Sequence, residues 1–315
     1  MYVRYASAVR ALLRALRERP VLTAVLGALT IAFSAIFVRL ADVSPATAAF
    51  FRCAYALPPL ALLAWMERRR YGPRAAGQAR LALFAGVFFA ADLVLWHHAI
   101  EEVGAGLATV LGNTQVVFVP VAAWLLLGER PAARVAASVP VVLVGVILIS
   151  GVIGAEPYGK DPVLGVMFGV ATGIAYAAFL LVQRRANADH RRPAGPLFTA
   201  TLSAAVVSLL IGLPLGELEL VPTWPAHGWL LLLALAVQVV GWLLISISLP
   251  RLPAAVTSVV LTIQPVGSVL LGIWILSETP SGAQLIGVGF IVAGLLMTTL
   301  RVRVRGWRRA QPEVG

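Results

Sequence analysis

The chain of 315 residues is 60% hydrophobic and only 12% charged, with a mean hydropathy of +0.89. A soluble domain is about 45–50% apolar and about 25% charged, so this chain cannot cover a water-facing surface and is predicted to be an integral membrane protein. The single cysteine, Cys53, excludes a disulfide framework and a cysteine-rich metal site. A net charge of +11 also occurs in nucleic-acid-binding proteins. Here the basic residues gather at the ends of apolar stretches, so no nucleic-acid partner is predicted.

Ten stretches are long and apolar enough to cross a bilayer, which takes about 20 residues at 1.5 Å each. They cover residues 21–40, 46–65, 80–100, 105–127, 133–152, 162–182, 195–213, 227–249, 254–276 and 281–300. What remains is a set of short loops, a basic tail over 1–20 and a second basic tail over 301–315. The sequence therefore predicts an all-α integral membrane fold with ten transmembrane helices.

The basic residues predict the orientation, because Lys and Arg accumulate on the cytoplasmic side of a membrane. With the N-terminus inside, all but three of the 25 Lys and Arg residues fall in inner segments or tails. The exceptions are Lys160 in an outer loop and Arg39 and Arg52 within spans. We predict a multi-pass protein of the cell membrane with both termini in the cytoplasm.

The two halves of the chain repeat each other at a constant offset of 149 residues. Residues 106–131 read GLATVLGNTQVVFVPVAAWLLLGERP and residues 255–280 read AVTSVVLTIQPVGSVLLGIWILSETP. The equivalent pairs include Thr109 and Ser258, Gln115 and Gln264, Glu129 and Glu278, Pro131 and Pro280, and Gly145 and Gly294. Each half, 21–152 and 162–300, holds five spans, and because five is odd the second half is inverted. Inverted repeats build secondary transporters, whose substrate site lies near the midplane between the halves.

This paired pattern resembles the EamA-type domain of the drug/metabolite transporter superfamily. The stretch FVRLADVSPATAAFFRCAYALPPLALL, across spans 1 and 2, is similar to the opening of the same family. The resemblance covers about residues 21–300. It implies two inverted five-helix bundles around a central cavity and the export of small metabolites such as amino acids or amines. His97 and His98 depart from the family pattern, so the resemblance assigns them no role.

Enzyme chemistry is not indicated. The motifs G-x-S-x-G and H-E-x-x-H are absent, and GAEPYGK at 154–160 lacks the Ser or Thr that ends a phosphate-binding loop. We therefore predict neither a cofactor nor a metal, and no use of ATP by this chain alone. The acidic residues are dispersed, whereas a membrane-embedded enzyme would cluster them, and the charge rings or carbonyl filter of a channel are not evident.

The pattern favours a secondary active transporter working by alternating access, with export as the predicted direction. An importer, or a proton-independent uniporter or exchanger of small metabolites, is the alternative. The predicted partners are a small-molecule substrate and the lipid bilayer, and no oligomer is required. Acid, arginine, amide and aromatic groups together suit a zwitterion with an apolar side chain, such as an amino acid.

Ionisable residues inside a bilayer are costly and therefore point to function. Arg52 in span 2 and Asp92 in span 3 lie at depths of about 9 and 12 Å from the outer ends of their spans, at 1.5 Å per residue. We expect them to face each other across a substrate site. Arg39 lies close to the outer end of span 1, where it either lines the cavity mouth or reaches the lipid headgroups.

Amide and aromatic side chains complete the predicted site. Gln115 and Gln264 are equivalent and are expected to lie across the central axis. Asn113 diverges from Gln115 by about 200° around the helix, so one of the two lines the cavity while the other bridges helices. The remaining candidates are Tyr176, Gln238 and Trp242 for substrate and Trp96 at the cavity mouth, with plain helix packing as the alternative role.

Proton coupling requires a group that changes charge inside the cavity. The candidates are Asp92 and the nearby His97 and His98, because histidine titrates near neutrality when unperturbed. The alternative is a permanent Asp92–Arg52 ion pair that only fixes spans 2 and 3.

Overall fold

The computed structural model describes residues 16, 18–115, 117–119, 121–122, 133–149, 158–189, 191–248, 251–252, 260 and 263–299. Within these ranges every regular element is helical and no strand occurs. Residues 1–15 and 17 of the first basic tail and all of the second lie outside the described residues. So do Glu129 and Pro131 of the first repeat and Ser258 of the second.

The described elements are twelve α-helices and one π-helix. They are α1 Pro20–Ala32, α2 Ser34–Ala41, α3 Pro45–Tyr71, α4 Ala76–Val103, α5 Ala105–Gly112, α6 Ala133–Ile149, α7 Pro162–Ala186, α8 Ala194–Leu215, α9 Ala226–Leu232, the π-helix Leu233–Gly241, α10 Trp242–Ser248, α11 Ile263–Leu276 and α12 Gly282–Thr299.

The predicted membrane architecture is confirmed in its coarse form. Six segments are long and apolar enough to cross a membrane: Pro20–Ala41, Pro45–Tyr71, Ala76–Val103, Pro162–Ala186, Ala194–Leu215 and Ala226–Ser248. The other four predicted spans contain the shorter apolar helices α5, α6, α11 and α12. Large apolar side chains such as Met167, Leu210, Leu270 and Trp274 point outward, as they do in a protein whose outer surface meets lipid tails. The chain is a multi-pass membrane protein.

Local chemistry explains where several helices begin. Pro45 and Pro162 occupy the first turns of α3 and α7, where the missing N–H of proline would be unpaired in any case. Asp161 caps α7, since its Oδ1 accepts a hydrogen bond from the backbone N of Leu164 at 2.9 Å. These caps fix the ends of two of the long spans.

Two irregularities interrupt the spans at the level of the central cavity. The first is the break between α1 and α2 at Phe33, where Ser268 Oγ donates to the backbone O of Ala32 at 2.9 Å. The second is the nine-residue π-helix Leu233–Gly241, which carries Gln238. Such segments are rare and are often found at functional sites. Here they place Ser34 and Gln238 beside the same arginine.

The helices meet at two distinct ends of the bundle, each joined by a carboxylate. At the Glu278 end, Glu278 accepts hydrogen bonds from the first two backbone N–H groups of α5. At the Glu67 end, Glu67 accepts from the first two backbone N–H groups of α8. The Glu278 end comprises residues 42–44, 104, 158–161, 216–219 and 277–281, and the Glu67 end comprises residues 67–75 and 187–195.

Candidate functional site

A central cavity lies where α2, α3, α4, α5, α7, α10 and α11 meet, and it has an empty volume of about 470 Å³, part of it open to solvent. Six of the eight predicted substrate-binding residues line it: Arg52, Asp92, Asn113, Tyr176, Trp242 and Gln264. Gln115 and Gln238 do not. The cavity thus collects an acid, a base, two amides and two aromatic rings from both halves of the chain.

Arg52 is held in one orientation by neutral partners. It is 3% exposed, and its Nε donates to Gln238 Oε1 and its Nη1 to Ser34 Oγ, both at 3.0 Å. Gln238 Nε2 in turn donates to Thr201 Oγ1 at 3.1 Å, which fixes the amide. A guanidinium has five N–H donors, so in the described part of the chain three of them are not used by these two bonds. Gln238 therefore acts on the cavity through Arg52.

Asp92 lines the same cavity as Arg52 and is 8% exposed. Within the described residues the two form no ion pair, since both hydrogen bonds of Arg52 go elsewhere. The predicted approach of acid and base to one space is observed, without direct pairing in this conformation. A negative and a positive group are thus both presented to the cavity.

The predicted amide side chains differ in whether they line the cavity. Asn113 lines the cavity, but its Nδ2 donates to the backbone O of Thr109 at 2.8 Å, which leaves its Oδ1 as an acceptor. Gln115 is buried away from the cavity lining, at 3% exposure. Gln264 faces the cavity from α11, and Thr262, the equivalent of Asn113, lies outside the described residues.

Three buried polar atoms on cavity-lining residues have no hydrogen-bond partner among the described residues. They are Thr172 Oγ1, Trp242 Nε1 and Gln264 Nε2. Buried polar groups are nearly always paired in proteins, so several unpaired donors on residues around one space indicate a ligand or water site. Thr172, Ser34 and Thr109 were not predicted, because small hydroxyl residues are common in transmembrane helices and carry no distinctive signal.

Aromatic rings form one wall of the cavity. Tyr176 and Trp242 lie edge to face with ring centroids 6.2 Å apart, and Phe179 and Phe89 pack behind them. Trp96, which was expected at the mouth, lines the central cavity, with its ring 6.0 Å from the guanidinium carbon of Arg52. The wall provides apolar surface beside charged groups.

A second, smaller pocket lies toward the Glu278 end. Arg39 and His97 line it together with Asp42 and Glu101. His98 lies apart from both cavities: its ring stacks on Phe168 at 5.0 Å, and its nitrogens lie 3.9 Å from Glu101 and 3.6 Å from Glu217. The three predicted coupling residues are thus distributed over the central cavity, the second pocket and the surface.

The described residues contain no group of three or more His, Cys, Asp or Glu side chains that could hold a metal ion. Lys160, the last residue of the GAEPYGK segment, lies 3.5 Å from Glu102. The first four residues of that segment, 154–157, lie outside the described part of the chain.

Comparison with known proteins places these features in a family. The model of the EamA-like transporter family matches residues 19–151 and again residues 163–300. The threonine/homoserine exporter RhtA of Escherichia coli K12 is 30% identical over 259 residues, which cover 79% of this chain and 80% of the exporter. An uncharacterized transporter of Archaeoglobus fulgidus is 25% identical over 218 residues, or 69% of this chain and 76% of that protein.

A solved crystal structure shares the fold. It superimposes with a TM-score of 0.61 at 19% identity, covering 90% of this chain and 97% of the other. The family and these named relatives are transporters, so the chain is a transporter and not an enzyme. The chain belongs to the EamA-like transporter family, within the drug/metabolite transporter superfamily.

Proposed function

We propose that this transporter exports small amino acids across the cell membrane, and that the central cavity holds the substrate as a zwitterion. The observation that carries the proposal is that the fixed guanidinium of Arg52 and the carboxylate of Asp92 line the same cavity without pairing with each other in the described part of the chain. The remaining N–H groups of Arg52 suit a carboxylate, and Asp92 suits an ammonium group. Both charges are satisfied only when both ends of a zwitterion bind.

The polar atoms left without partners favour a short hydroxylated side chain. Thr172 Oγ1, Gln264 Nε2 and the Oδ1 of Asn113 offer further donors and acceptors on residues that line the cavity. The related exporter from Escherichia coli is named for threonine and homoserine, which both carry one hydroxyl. We therefore take threonine and homoserine as the first substrates to test, ahead of amines that lack a carboxylate.

The proposed architecture is two inverted five-helix repeats, 21–152 and 162–300, flanked by cytoplasmic tails at 1–20 and 301–315. The contact between α6 and α12 supports it. A Cβ on Gly145 would lie 2.6 Å from Ile291, and a Cβ on Gly294 would lie 2.5 Å from Val142. At the offset of 149 residues Gly145 is equivalent to Gly294 and Val142 to Ile291. The repeat therefore relates the contact between Gly145 and Ile291 to the contact between Gly294 and Val142.

Reciprocal substitutions test this symmetry. Gly145→Ala and Gly294→Ala should each destabilise the α6–α12 contact by about 1–3 kcal/mol, the usual cost of overpacking. Gly289→Ala on the same helix is the control, because a Cβ there meets nothing within 4 Å. Similar losses in the melting temperature for the first two variants support the repeat. A loss confined to one of them contradicts it.

Alternating access needs an end of the bundle that opens. In the proposed orientation the Glu278 end faces outside, and the bond from Glu278 to α5 closes the route along α2 and α4. Separation of α11 from the start of α5 would open it. Asp92, His97 and His98 remain the candidates for coupling this motion to protons.

The central test is counterflow in proteoliposomes with labelled threonine, homoserine, a polyamine and a sugar. Arg52→Gln and Asp92→Asn should each reduce threonine counterflow at least tenfold, since each removes one charge-assisted contact. Glu219→Gln, at an exposed loop carboxylate, is the matched control and should retain counterflow. Retention of threonine exchange in both cavity variants would reject the zwitterion site.

Transport after a pH step distinguishes a proton-coupling role of Asp92 from a purely structural one. If Asp92 carries protons, Asp92→Asn loses pH-driven accumulation and keeps passive exchange. If the variant still accumulates substrate in response to the step, the coupling role falls to the histidines or the protein is a uniporter. Measuring both fluxes in one preparation of vesicles distinguishes the outcomes.

A further inference from the structure

The second pocket lies one helical turn beyond the central cavity on two helices. On α2, Ser34 faces the central cavity and Arg39 the second pocket. On α4, Leu93 lines the central cavity and His97 the second pocket. A rise of 1.5 Å per residue puts the two spaces about 6–8 Å apart. The pocket is therefore the next space that a substrate meets between the central cavity and the Glu278 end.

His97 gives this pocket a defined acceptor. The side chain is 1% exposed, and its Nδ1 lies 3.0 Å from the backbone O of Pro45. A carbonyl oxygen can only accept, so Nδ1 carries the hydrogen and Nε2 of the neutral ring presents a lone pair. Within the described chain Nε2 has no partner, although it is buried. An unpaired buried acceptor indicates a ligand that donates a hydrogen bond.

Charges of both signs surround this acceptor. Arg39, Asp42 and Glu101 all line the pocket from exposed positions. Neither Arg39 nor Asp42 forms an ion pair with another described residue. The pocket thus repeats the chemistry of the central cavity, with a guanidinium, carboxylates and one neutral polar atom.

We propose that the second pocket is an outer binding site for a zwitterionic amino acid. Arg39 takes the α-carboxylate, while Nε2 of His97 and the carboxylate of Glu101 accept from the α-ammonium group. This site rests on the proposed function, since it receives the amino acid that the central cavity releases. When external amino acid fills it, substrate leaving the central cavity is blocked, so external threonine inhibits efflux.

Inhibition of efflux by external threonine tests this site. Vesicles are loaded with labelled threonine, and the inhibition constant of unlabelled external threonine is measured relative to the uninhibited efflux of the same variant. We expect Arg39→Gln and Glu101→Gln to raise this constant about tenfold, as the loss of one charge-assisted hydrogen bond implies. Lys160→Gln, a charged position at the same end outside the pocket, should leave it unchanged.

Two analogues sharpen the test. A primary amine without a carboxylate should inhibit the wild-type protein at least tenfold more weakly than threonine, because it leaves Arg39 unpaired. The site is rejected if the inhibition constant is unchanged in Arg39→Gln and Glu101→Gln, or if the amine inhibits as well as threonine. Absence of threonine counterflow in the wild-type protein would instead reject the proposed function, so the two failures are distinguishable.

Discussion

The two ends of the bundle use the same contact with different support. Glu278 is 3% exposed and its carboxylate binds the N–H groups of Ala105 and Gly106 at 2.5 and 3.1 Å. Glu67 is half-buried and binds the N–H groups of Ala194 and Gly195 at 2.9 and 2.8 Å. In both cases a carboxylate satisfies the free backbone donors at a helix N-terminus, where the helix dipole favours negative charge.

The surroundings differ. At the Glu67 end, Arg192 Nη1 also donates to the backbone O of Gly72 and Pro73, and Arg74 Nη2 donates to Thr199 Oγ1 at 2.7 Å. At the Glu278 end, Gly104 has φ +84° and leaves the room that the carboxylate occupies, since a Cβ there would lie 2.7 Å from Glu278 Oε1. At the Glu67 end the start of α8 is held beside several further bonds. At the Glu278 end, the described hydrogen bonds that join the start of α5 to the segment after α11 all come from Glu278. A change at Glu278 is therefore expected to loosen the contact between α5 and the segment after α11, while the bonds from Ser44 and Thr47 to Glu217 remain.

The largest expected effect is on stability. Glu278→Ala leaves two buried N–H groups without an acceptor, at about 1–3 kcal/mol each. Glu67→Ala should cost about 1 kcal/mol, the usual cost of losing a helix cap, because Glu67 is half-buried and water can take the place of its side chain. Thermal unfolding of the purified protein measures both, with Glu219→Ala as the exposed control. If Glu67→Ala lowers the melting temperature as much as Glu278→Ala, the inferred difference between the two ends is wrong.

Redundancy at the Glu67 end predicts a smaller loss when one of its arginines is removed. Arg192→Gln deletes bonds to the backbone of Gly72 and Pro73 and the 2.7 Å contact with Asp189, for an expected loss of about 1 kcal/mol. Arg185→Gln, an exposed position on the same end, is the matched control. The double variant Arg192→Gln/Glu67→Ala should lose more free energy of unfolding than the two single variants together, because neither contact is then left to replace the other.

In the proposed orientation, the Glu278 end should respond to external pH. Burial raises the pKa of Glu278 above its usual 4.5, although the N–H groups of Ala105 and Gly106 and the charge of Arg39 act in the opposite direction. An open conformation solvates Glu278 and returns its pKa toward 4.5. The closed conformation therefore holds the proton more tightly, so acid favours closing, and a rise in pH through the interval above 4.5 favours opening.

Cysteine labelling measures this opening. Thr109→Cys in a Cys53→Ala background places a thiol on a residue that lines the central cavity. In the proposed orientation, an impermeant maleimide added outside would reach it through the Glu278 end. Labelling should be several-fold slower at acidic than at neutral external pH, after correction for thiol ionisation with a free peptide. Glu278→Gln should abolish that difference. Tyr158, which also faces Glu278, has its pKa raised by burial and does not titrate in this interval.

The features of this protein that depend on hydropathy and charge could be predicted from its sequence. Long apolar spans, Arg52 and Asp92 stand out because bilayers penalise charge. The break at Phe33 and the π-helix at Leu233–Gly241 were not predictable, since their composition is as apolar as that of the regular helices beside them. The role of Glu278 was missed although the repeat had paired it with Glu129, because a glutamate in a predicted loop is ordinarily solvated.

The smallest expected effect concerns Asp189 at the Glu67 end. Hydrogen bonds from Arg191, and then from Arg192, hold the pKa of Asp189 well below its usual 3.8. A depressed pKa stabilises the folded protein above the unfolded value of about 3.8, and this contribution is lost as the pH falls below it. Asp189 is partly exposed and its partner Arg191 is exposed, so screening by solvent keeps the effect small. Asp189→Asn should therefore leave the melting temperature at neutral pH almost unchanged and flatten its decline under acid. A large loss at neutral pH would mean that Asp189 supports the Glu67 end as strongly as Glu67 itself, and the redundancy inferred for that end would be wrong.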